Sequence, residues 1–318
     1  MKILVTGGAG FIGANLCQTL IERPEITRVV ALDDLSTGAA ANVRGADVTL
    51  VEGSILDRPL LDELVGQSDA VVHLAARPSV PRSIADPVAS HVANATGTMY
   101  VLEACRRTGA HILAASSSSV YGSVGELPRH EQLPTRPMSP YAASKLATEA
   151  YVLAYGASFG LPALAFRFFN VYGPLQAAGH AYAAVVPAFV DAAMRGKPLP
   201  VHGDGMQTRD FTYVGTVCEI LADAVVRRVV SPIPLNLAFG TRTSLLSLID
   251  LIAEQLGVPV PIEHLPPRAG DVRDSQAANA ELQVLFPDIR PIELEVGLKR
   301  TVDWFRTLPG YSPQRRSS

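Results

Sequence analysis

The chain has 318 residues, of which 48% are hydrophobic and 18% are charged. This length is enough to bury a full core in one large domain or in two smaller ones. Because the formal net charge is only -3, no basic surface is available for nucleic acid, and we expect no nucleic-acid partner.

Cysteine usage and hydropathy exclude further classes. Cys17, Cys105 and Cys218 are far apart and have no C-x-x-C spacing, which argues against a disulfide framework and a structural zinc site. The histidines form no ligand-type spacing, so we expect no metal site. Without an apolar run of membrane-spanning length or a signal-like start, the sequence predicts a cytoplasmic protein with no membrane partner.

Short apolar runs alternate with helical patterns along the first half of the chain. Predicted strands lie at residues 3–5, 29–32, 48–51, 70–74, 111–115 and 163–167, and a helix follows the first strand near residues 12–21. The runs are continuous rather than alternating, as expected for strands covered by helices on both faces. They predict an α/β fold with a Rossmann-type, doubly wound parallel sheet.

The pattern becomes looser after Gly173 and Pro174, with shorter apolar runs. We therefore predict a dinucleotide-binding domain over residues 1–174, with contributions from 209–240. Residues 175–318 are predicted to form a smaller substrate-binding lobe.

The first predicted strand runs into a glycine-rich turn. Gly8, Gly10 and Gly13 fit G-x-G-x-x-G, whose glycines let a pyrophosphate approach the N–H groups at a helix N-terminus. A tight turn without a ligand has the same composition. Asp33 lies twenty residues beyond Gly13 at the end of the second strand, where a carboxylate binds a ribose 2′-OH. Because Asp33 and Asp34 would repel a 2′-phosphate, the sequence favours NAD over NADP.

A tyrosine, a lysine and a serine form the candidate catalytic set. Tyr141 and Lys145 are four residues apart, so they share one face if the segment is helical, as Ser139 and Pro140 suggest. A phenol has a pKa of about 10, and a nearby ammonium favours its phenolate. Ser117 follows the fifth strand, at the end where such sheets place their chemistry. Tyr-x-x-x-Lys also occurs on surface helices, and serine clusters also cap helices.

At this point the sequence resembles the extended short-chain dehydrogenases/reductases, and among them most closely the UDP-sugar 4-epimerases. The resemblance covers nearly the whole chain. It rests on TGGAGFIG (6–13), LDDLSTG (32–38), HLAA (73–76), SSSVYG (117–122), PYAASK (140–145), RFFNVYG (167–173), GDG (203–205), TRDF (208–211) and RAGD (268–271).

The resemblance implies roles for individual residues. Tyr141 matches the family's base, Lys145 the residue that holds the nicotinamide ribose, and Ser117 the residue that binds the sugar hydroxyl. It implies that NAD is bound by Gly7, Gly10, Phe11, Ile12, Gly13, Asp33, Asp34, Ser54, Ile55, Leu74, Ala75, Ala76, Asn94, Ala115, Tyr141, Lys145 and Phe168. It implies that a UDP-sugar is bound by Ser117, Ser118, Ser119, Tyr141, Asn170, Val185, Val186, Val201, His202, Arg209, Arg268, Asp271 and Ser275.

Two positions need separate comment. Relatives usually carry an Asp after the third strand to reach adenine, whereas Ser54 stands here, which puts that contact in question. His73, in the HLAA segment, is interpreted as structural.

The residues after Ser117 distinguish between reactions of the family. Its 4,6-dehydratases carry Asp-Glu beside that position, and its UDP-xylose-forming decarboxylases carry a Glu. Here the two positions are Ser118 and Ser119, which cannot act as carboxylates in a second acid–base pair. The resemblance therefore implies epimerisation at C4 through a 4-keto sugar.

The identity of the sugar is predicted from two positions. Glucuronate 4-epimerases typically have Thr where Asn170 stands, which disfavours UDP-glucuronate, although that activity stays an alternative. By counting along the RAGD segment, Ser275 occupies the family's gate beside the sugar C2 substituent. A small residue there leaves room for an N-acetyl group. We therefore expect both the UDP-glucose/UDP-galactose and the UDP-N-acetylhexosamine pairs as substrates.

Other functions remain possible at this point. One is a nucleotide-sugar dehydratase or one-way reductase of the same family. Another is an NAD-binding regulatory module without activity, against which the intact Ser117, Tyr141 and Lys145 set argues. The resemblance also implies a homodimer packed on the helix that carries Tyr141.

Overall fold

A computed structural model of the chain describes residues 1–178, 183–266 and 273–311. Its described residues form a central seven-stranded sheet in which each pair of neighbouring strands is parallel. The strands are β1 (Lys2–Thr6), β2 (Arg28–Asp33), β3 (Thr49–Glu52), β4 (Ala70–His73), β5 (His111–Ser117), β6 (Ala163–Phe168) and β11 (Leu235–Leu237).

The strand order is β11-β6-β5-β4-β1-β2-β3. The chain builds outwards from β1 to β3 and then returns to add β4 on the other side of β1. The carboxyl ends of β1 and β4 therefore flank a topological switch point, where doubly wound sheets bind ligands. This arrangement confirms the predicted fold class.

Helices cover both faces of this sheet. Those flanking it include α1 (Phe11–Ile21), α2 (Arg58–Gly66), α5 (Gly97–Thr108), α6 (Pro140–Phe159) and α8 (Val214–Val226). Successive strand residues alternate between two hydrophobic clusters: Ile3 and Val5 belong to the cluster that contains α1 and α8, and Leu4 to the one that contains α2 and α5. Both faces are buried, which explains the continuous apolar runs in the sequence.

Smaller elements carry the chain beyond the sheet. The short strands β7 (Asn170–Tyr172) and β10 (Phe211–Tyr213) pair in parallel, as do β8 (Leu199–His202) and β13 (Ile262–Leu265), whereas β9 (Thr208–Arg209) and β12 (Thr243–Ser244) pair antiparallel. The remaining α-helices of the described ranges are α3 (Val80–Ala85), α4 (Pro87–His91), α7 (Val185–Met194), α9 (Leu245–Leu256), α10 (Ala280–Leu285) and α11 (Leu294–Thr307). The last four lie after Gly173, where the sequence pattern loosens.

All six predicted strands and the first helix are present, within a residue or two of their predicted ends. The predicted start of α6 is also confirmed, because the Ser139 hydroxyl accepts a hydrogen bond from the N–H of Ala142 at 3.1 Å. The seventh strand, β11, has three residues and no apolar run that predicts it. Within the described ranges, no helix has the length and hydrophobicity required to cross a bilayer.

Candidate active site

The glycine-rich turn joins β1 to α1 by close contacts between backbone atoms. A Cβ atom on Gly13 would lie 2.1 Å from the carbonyl oxygen of Gly7, and one on Gly7 would lie 2.7 Å from the N atom of Ala75. Gly7 also has a φ of +71°, which favours glycine. No side chain caps the N-terminus of α1. Its N–H groups are therefore available to an anion such as a pyrophosphate.

Asp33 closes the other side of this turn. Its carboxylate accepts hydrogen bonds from the N–H groups of Ala9 and Leu35, both at 2.9 Å. Burial raises the pKa of this carboxyl, and the two N–H groups oppose that rise. The neighbouring Asp34 accepts a hydrogen bond from the N–H of Ser36 at 3.0 Å. The geometry fixes two carboxylates at the end of β2, where the sequence predicts contact with a ribose.

A cavity of about 620 Å³ runs along the carboxyl ends of the central strands. It is lined by every predicted cofactor residue except Asn94. These lining residues are Gly7, Gly10, Phe11, Ile12, Gly13, Asp33, Asp34, Ser54, Ile55, Leu74, Ala75, Ala76, Ala115, Tyr141, Lys145 and Phe168. The glycine cradle, the uncapped helix and the paired carboxylates at one end of this cavity fit an NAD molecule.

Asn94 is buried behind the wall of this cavity. Its amide oxygen accepts from the N–H of Arg77 at 2.7 Å, and its amide N–H groups donate to the Arg77 carbonyl at 3.2 Å and to the Ser144 hydroxyl at 2.9 Å. These bonds tie the segment after β4 to α6. Asn94 thus supports the wall in this structure, and a direct contact with the cofactor stays a prediction.

Two other sequence interpretations can be compared with the structure. Ser54 lines the cavity after β3, where its hydroxyl oxygen accepts from the N–H of Leu56 at 3.2 Å and its proton stays available to a ligand. His73 is 2% exposed and hydrogen-bonds the hydroxyls of Thr6 at 2.7 Å and Thr98 at 3.0 Å. Burial, together with the nearby charge of Lys145, lowers the pKa of His73 to about 3. The imidazole is therefore a neutral structural link, as the sequence predicts.

The three candidate catalytic residues lie together at the end of β5. Lys145, one turn beyond Tyr141 on α6, donates from Nζ to the carbonyl of Ala115 at 2.8 Å, and burial lowers its pKa to about 8. Burial raises the pKa of Tyr141, and a hydrogen bond with Ser117 opposes that rise. The Ser117 hydroxyl is therefore placed to stabilise a phenolate on Tyr141.

Ser119 controls the direction of the Ser117 hydroxyl. Its N–H and its hydroxyl both donate to Ser117 Oγ, at 3.2 and 2.9 Å. With two donors on its oxygen, Ser117 directs its own proton away from Ser119. Among the described residues that line this cavity and the one beyond it, the carboxylates are Asp33 and Asp34. Both lie at the carboxyl end of β2, three strands away from β5.

A second cavity, of about 490 Å³, adjoins the first. The described residues that line both are Tyr141, Phe169, Val171 and Gln176. Tyr141 is therefore exposed to each cavity, at the boundary between the predicted cofactor site and the space beyond it.

The predicted substrate residues are distributed around and behind this second cavity. Its lining includes Tyr141, Asn170, Val185, Val186, His202 and Arg209. Ser117 and Ser116 line the first cavity, and Ser118 and Ser119 lie beside them in the turn after β5. Arg209 donates from Nη1 to the carbonyls of Thr208 at 2.8 Å and Arg273 at 3.1 Å.

Two predicted substrate residues lie beneath that surface. Val201 has no exposed surface and packs in the core, and Ser275 is 6% exposed, with its N–H bonded to the Thr208 carbonyl at 3.1 Å. Ligand contacts for both stay predictions. Arg268 and Asp271 lie outside the described residues.

The sequence did not single out several lining residues. Arg77 and Val92 line the first cavity, Gln207 lines the second and Gln176 lines both. Arg77 directly follows HLAA and Gln176 follows the RFFNVYG segment, so proximity to a motif was the available signal. Nothing in residue type distinguishes them from surface residues.

Known proteins share both the sequence and the fold. The family described as "NAD dependent epimerase/dehydratase family" matches residues 3–238. A UDP-glucose 4-epimerase of Mycolicibacterium smegmatis is 36% identical over 316 residues, covering 96% of this chain and 99% of that protein. A dTDP-glucose 4,6-dehydratase of Xanthomonas campestris is 35% identical over 293 residues, covering 86% of this chain and 80% of that protein.

A solved structure extends the likeness to three dimensions. The UDP-N-acetylglucosamine 4-epimerase of Methanobrevibacter ruminantium, in complex with UDP-N-acetylmuramic acid, superposes with a TM-score of 0.90 at 32% identity, covering 96% of this chain and 97% of that chain. The resemblance noted in the sequence is thereby confirmed, and so is NAD as the cofactor of the family. The chain belongs to the NAD-dependent epimerase/dehydratase family.

Proposed function

We propose that this enzyme interconverts UDP-hexoses at C4 through a 4-keto sugar. The observation that carries the proposal is the position of Tyr141, which faces both cavities beside Lys145 and Ser117. The carboxylates among the described residues that line these cavities, Asp33 and Asp34, lie three strands away. This arrangement supplies one base for one proton. It lacks the second acid–base pair that an elimination needs.

Ser117, Tyr141 and Lys145 would each have a separate role in this reaction. Ser117 binds the O4 hydroxyl, and Tyr141 as phenolate removes its proton. The glycine turn and Asp33 of the first cavity would hold NAD, and this cofactor would supply the hydride acceptor and donor for C4. Tyr141 then gives the proton back to the same oxygen, so protons and electrons balance over the cycle. The ammonium of Lys145 stabilises the phenolate before the first proton transfer and after the second.

The mechanism is tested by Tyr141→Phe, which removes only the acidic hydroxyl. We expect interconversion to be abolished and UDP-sugar affinity to change by less than about threefold, because the ring and its packing remain. Tyr100→Phe is the matched control, since it removes a tyrosine hydroxyl from α5, at a position that is not among the described residues lining either cavity. Full activity of Tyr141→Phe would refute the assignment.

Other reactions of the family differ in what they consume or release. A dehydratase releases water and a one-way reductase consumes reductant, whereas an epimerase does neither. Incubation with UDP-sugar and free NADPH, followed by product separation, distinguishes the three. A regulatory module without activity would give no product even in a single-turnover assay.

The substrate range is proposed to include UDP-glucose/UDP-galactose and the UDP-N-acetylhexosamine pair. Support comes from the small side chain of Ser275, beside Thr208 near the second cavity, and from Asn170 in its lining. UDP-glucose, UDP-N-acetylglucosamine and UDP-glucuronate should be compared in parallel. Ser275→Tyr is expected to lower N-acetylhexosamine turnover selectively, and Ser275→Ala is its control. Turnover of the glucuronate alone would favour the alternative activity.

We also propose that residues 1–174, with parts of 209–240, bind NAD and that 175–318 bind the UDP-sugar. The enzyme is proposed to act in the cytoplasm as a homodimer packed on α6. The outer face of that helix carries small exposed side chains, Ala143, Ala150 and Ala154, beside Tyr151. Sedimentation should show a dimer that Ala150→Glu dissociates, and a monomeric wild-type protein would exclude this packing.

A further inference from the structure

Three consecutive residues of β5 each hold one residue of α6. The three helix residues are spaced by four, so they lie on one face of α6. The contacts join the Ala115 carbonyl to Lys145 Nζ at 2.8 Å, Ser116 Oγ to Glu149 Oε2 at 2.8 Å, and Ser117 to the Tyr141 hydroxyl. Two of these contacts involve the catalytic set. The third, through Glu149, has no role in the proposed chemistry.

Glu149 is held in turn by Arg167, from the neighbouring strand β6. The guanidinium donates from Nε to Oε2 at 2.9 Å and from Nη2 to Oε1 at 2.6 Å, which is bidentate pairing. Both residues are 3% exposed. Although burial alone lowers it, the pKa of Arg167 is raised by these bonds and by the Glu149 charge. Arg167 lies opposite Ser116 in the β5–β6 register, so one ion pair joins both strands to α6.

A buried ion pair of this kind is poorly explained by stability. Removing two charges from water costs several kcal/mol, and apolar side chains of similar volume often stabilise a core equally well. The pair instead supplies a fixed geometry, because two short parallel hydrogen bonds allow α6 little movement along the strands. A shift of one residue along a helix moves it by about 1.5 Å, which is enough to break a hydrogen bond.

We propose that Glu149 and Arg167 are positioning residues that fix the axial register of α6 against β5, and so hold the Tyr141 hydroxyl at Ser117. Glu149 and Arg167 are not among the described residues that line the two cavities, so neither touches substrate or cofactor. They act through Ser116, which Glu149 binds and which directly precedes Ser117. Only the kinetic part of the test below rests on the proposed function.

The test replaces both partners by apolar side chains of similar length, in the double variant Glu149→Met/Arg167→Met. No charge is left unpaired, Ser116 keeps the Lys145 carbonyl at 3.4 Å, and the Tyr121 hydroxyl keeps Asn236 at 2.7 Å. The first measurement is the ultraviolet difference absorbance of tyrosinate against pH. Subtracting the same titration in a Tyr141→Phe background isolates the signal of Tyr141.

We expect the double variant to fold with nearly the wild-type thermal midpoint. At a fixed pH below the pKa, its Tyr141 phenolate fraction should fall about tenfold, because Ser117 no longer lies at hydrogen-bonding distance. In the kinetic measurement kcat should fall by about tenfold while KM for the UDP-sugar changes less than about twofold. Wild-type titration and kcat in a folded variant would overturn the proposal.

Two further variants keep the test decisive. Val152→Ala, a fully buried position on α6 outside the network, should lower the thermal midpoint and leave the Tyr141 titration unchanged. If the double variant does not fold, Arg167→Lys keeps the charge but loses the fork, and its titration decides instead. If the wild-type enzyme turns over none of the UDP-sugars, the proposed function fails, but the titration still tests the positioning role.

Discussion

The two cavities are built in different ways. The first lies at the carboxyl ends of β1, β2, β4 and β5, and the glycine turn, with its close backbone contacts, forms part of its wall. The second is formed by loops, the short strands β7, β8 and β9 and the start of α7, and its lining includes the polar residues Asn170, His202, Gln207 and Arg209. Recognition by backbone demands particular residue types at fixed spacings and is therefore readable in a sequence. Recognition by side chains from separate loops has no such spacing.

Gly13→Ala should break the first cavity most severely. The added Cβ would lie 2.1 Å from the Gly7 carbonyl oxygen and 2.8 Å from the Gly8 Cα, and neither backbone atom can move without opening the turn. We expect NAD affinity to fall by at least about 100-fold, or about 2.7 kcal/mol. Bound NAD in the purified protein is the measurement. Gly66→Ala is the control, because its Cβ would meet nothing within 4 Å.

The next largest effect is expected at His73, whose imidazole on β4 hydrogen-bonds Thr6 on β1 below that cavity. The pKa of His73 is lowered to about 3 in the folded chain. As the pH falls below about 6.5, His73 therefore binds a proton in the unfolded chain but stays neutral in the folded chain. Stability should therefore decrease towards acid pH by up to about 1.4 kcal/mol per pH unit from this residue. His73→Gln should flatten that slope in urea unfolding measured between about pH 6.5 and about pH 4.5. The exposed His91→Gln should change it less, and equal slopes in both variants would argue against a buried neutral imidazole.

The second cavity should respond to Arg209→Met without a change in the first. A charge-assisted hydrogen bond to a phosphate is worth about 1.5–3 kcal/mol, so UDP-sugar affinity should fall about 10- to 100-fold. Bound NAD should stay at the wild-type level. Arg242→Met is the control, because Arg242 directly precedes β12 and is not among the described residues that line either cavity. Loss of NAD from Arg209→Met would show that the two sites are not independent.

The smallest expected effect is at Ser54, the residue that replaces the family's usual Asp. Its hydroxyl lines the first cavity, and one neutral hydrogen bond contributes about 0.5–1.5 kcal/mol. Ser54→Ala should therefore weaken NAD binding by about two- to tenfold, measured by fluorescence titration. Ser68→Ala, at the end of α2, is the control. An unchanged affinity would indicate that Ser54 makes no contact with the cofactor.

The sequence predicted the sheet because its strands are buried on both faces and so form continuous apolar runs. It also placed Ser117 at the edge of the sheet where the strands end, and the resemblance to the family joined Ser117 to Tyr141. The sequence did not predict the strand β11, because its three residues form a strand only by pairing with β6. The pair of Glu149 and Arg167 escaped for a similar reason: residues 18 apart meet only once α6 has packed on the sheet.

The alternation of strand side chains between two hydrophobic clusters limits how this chain can change in length. Inserting one residue into β1 would exchange the environments of Ile3, Leu4 and Val5 and would also rotate the glycine turn out of its place. Loops such as residues 44–47, which the sheet does not constrain, can accept insertions without that exchange. Evolutionary variation in length should therefore accumulate in the loops, while the spacing from β1 to the turn stays constant.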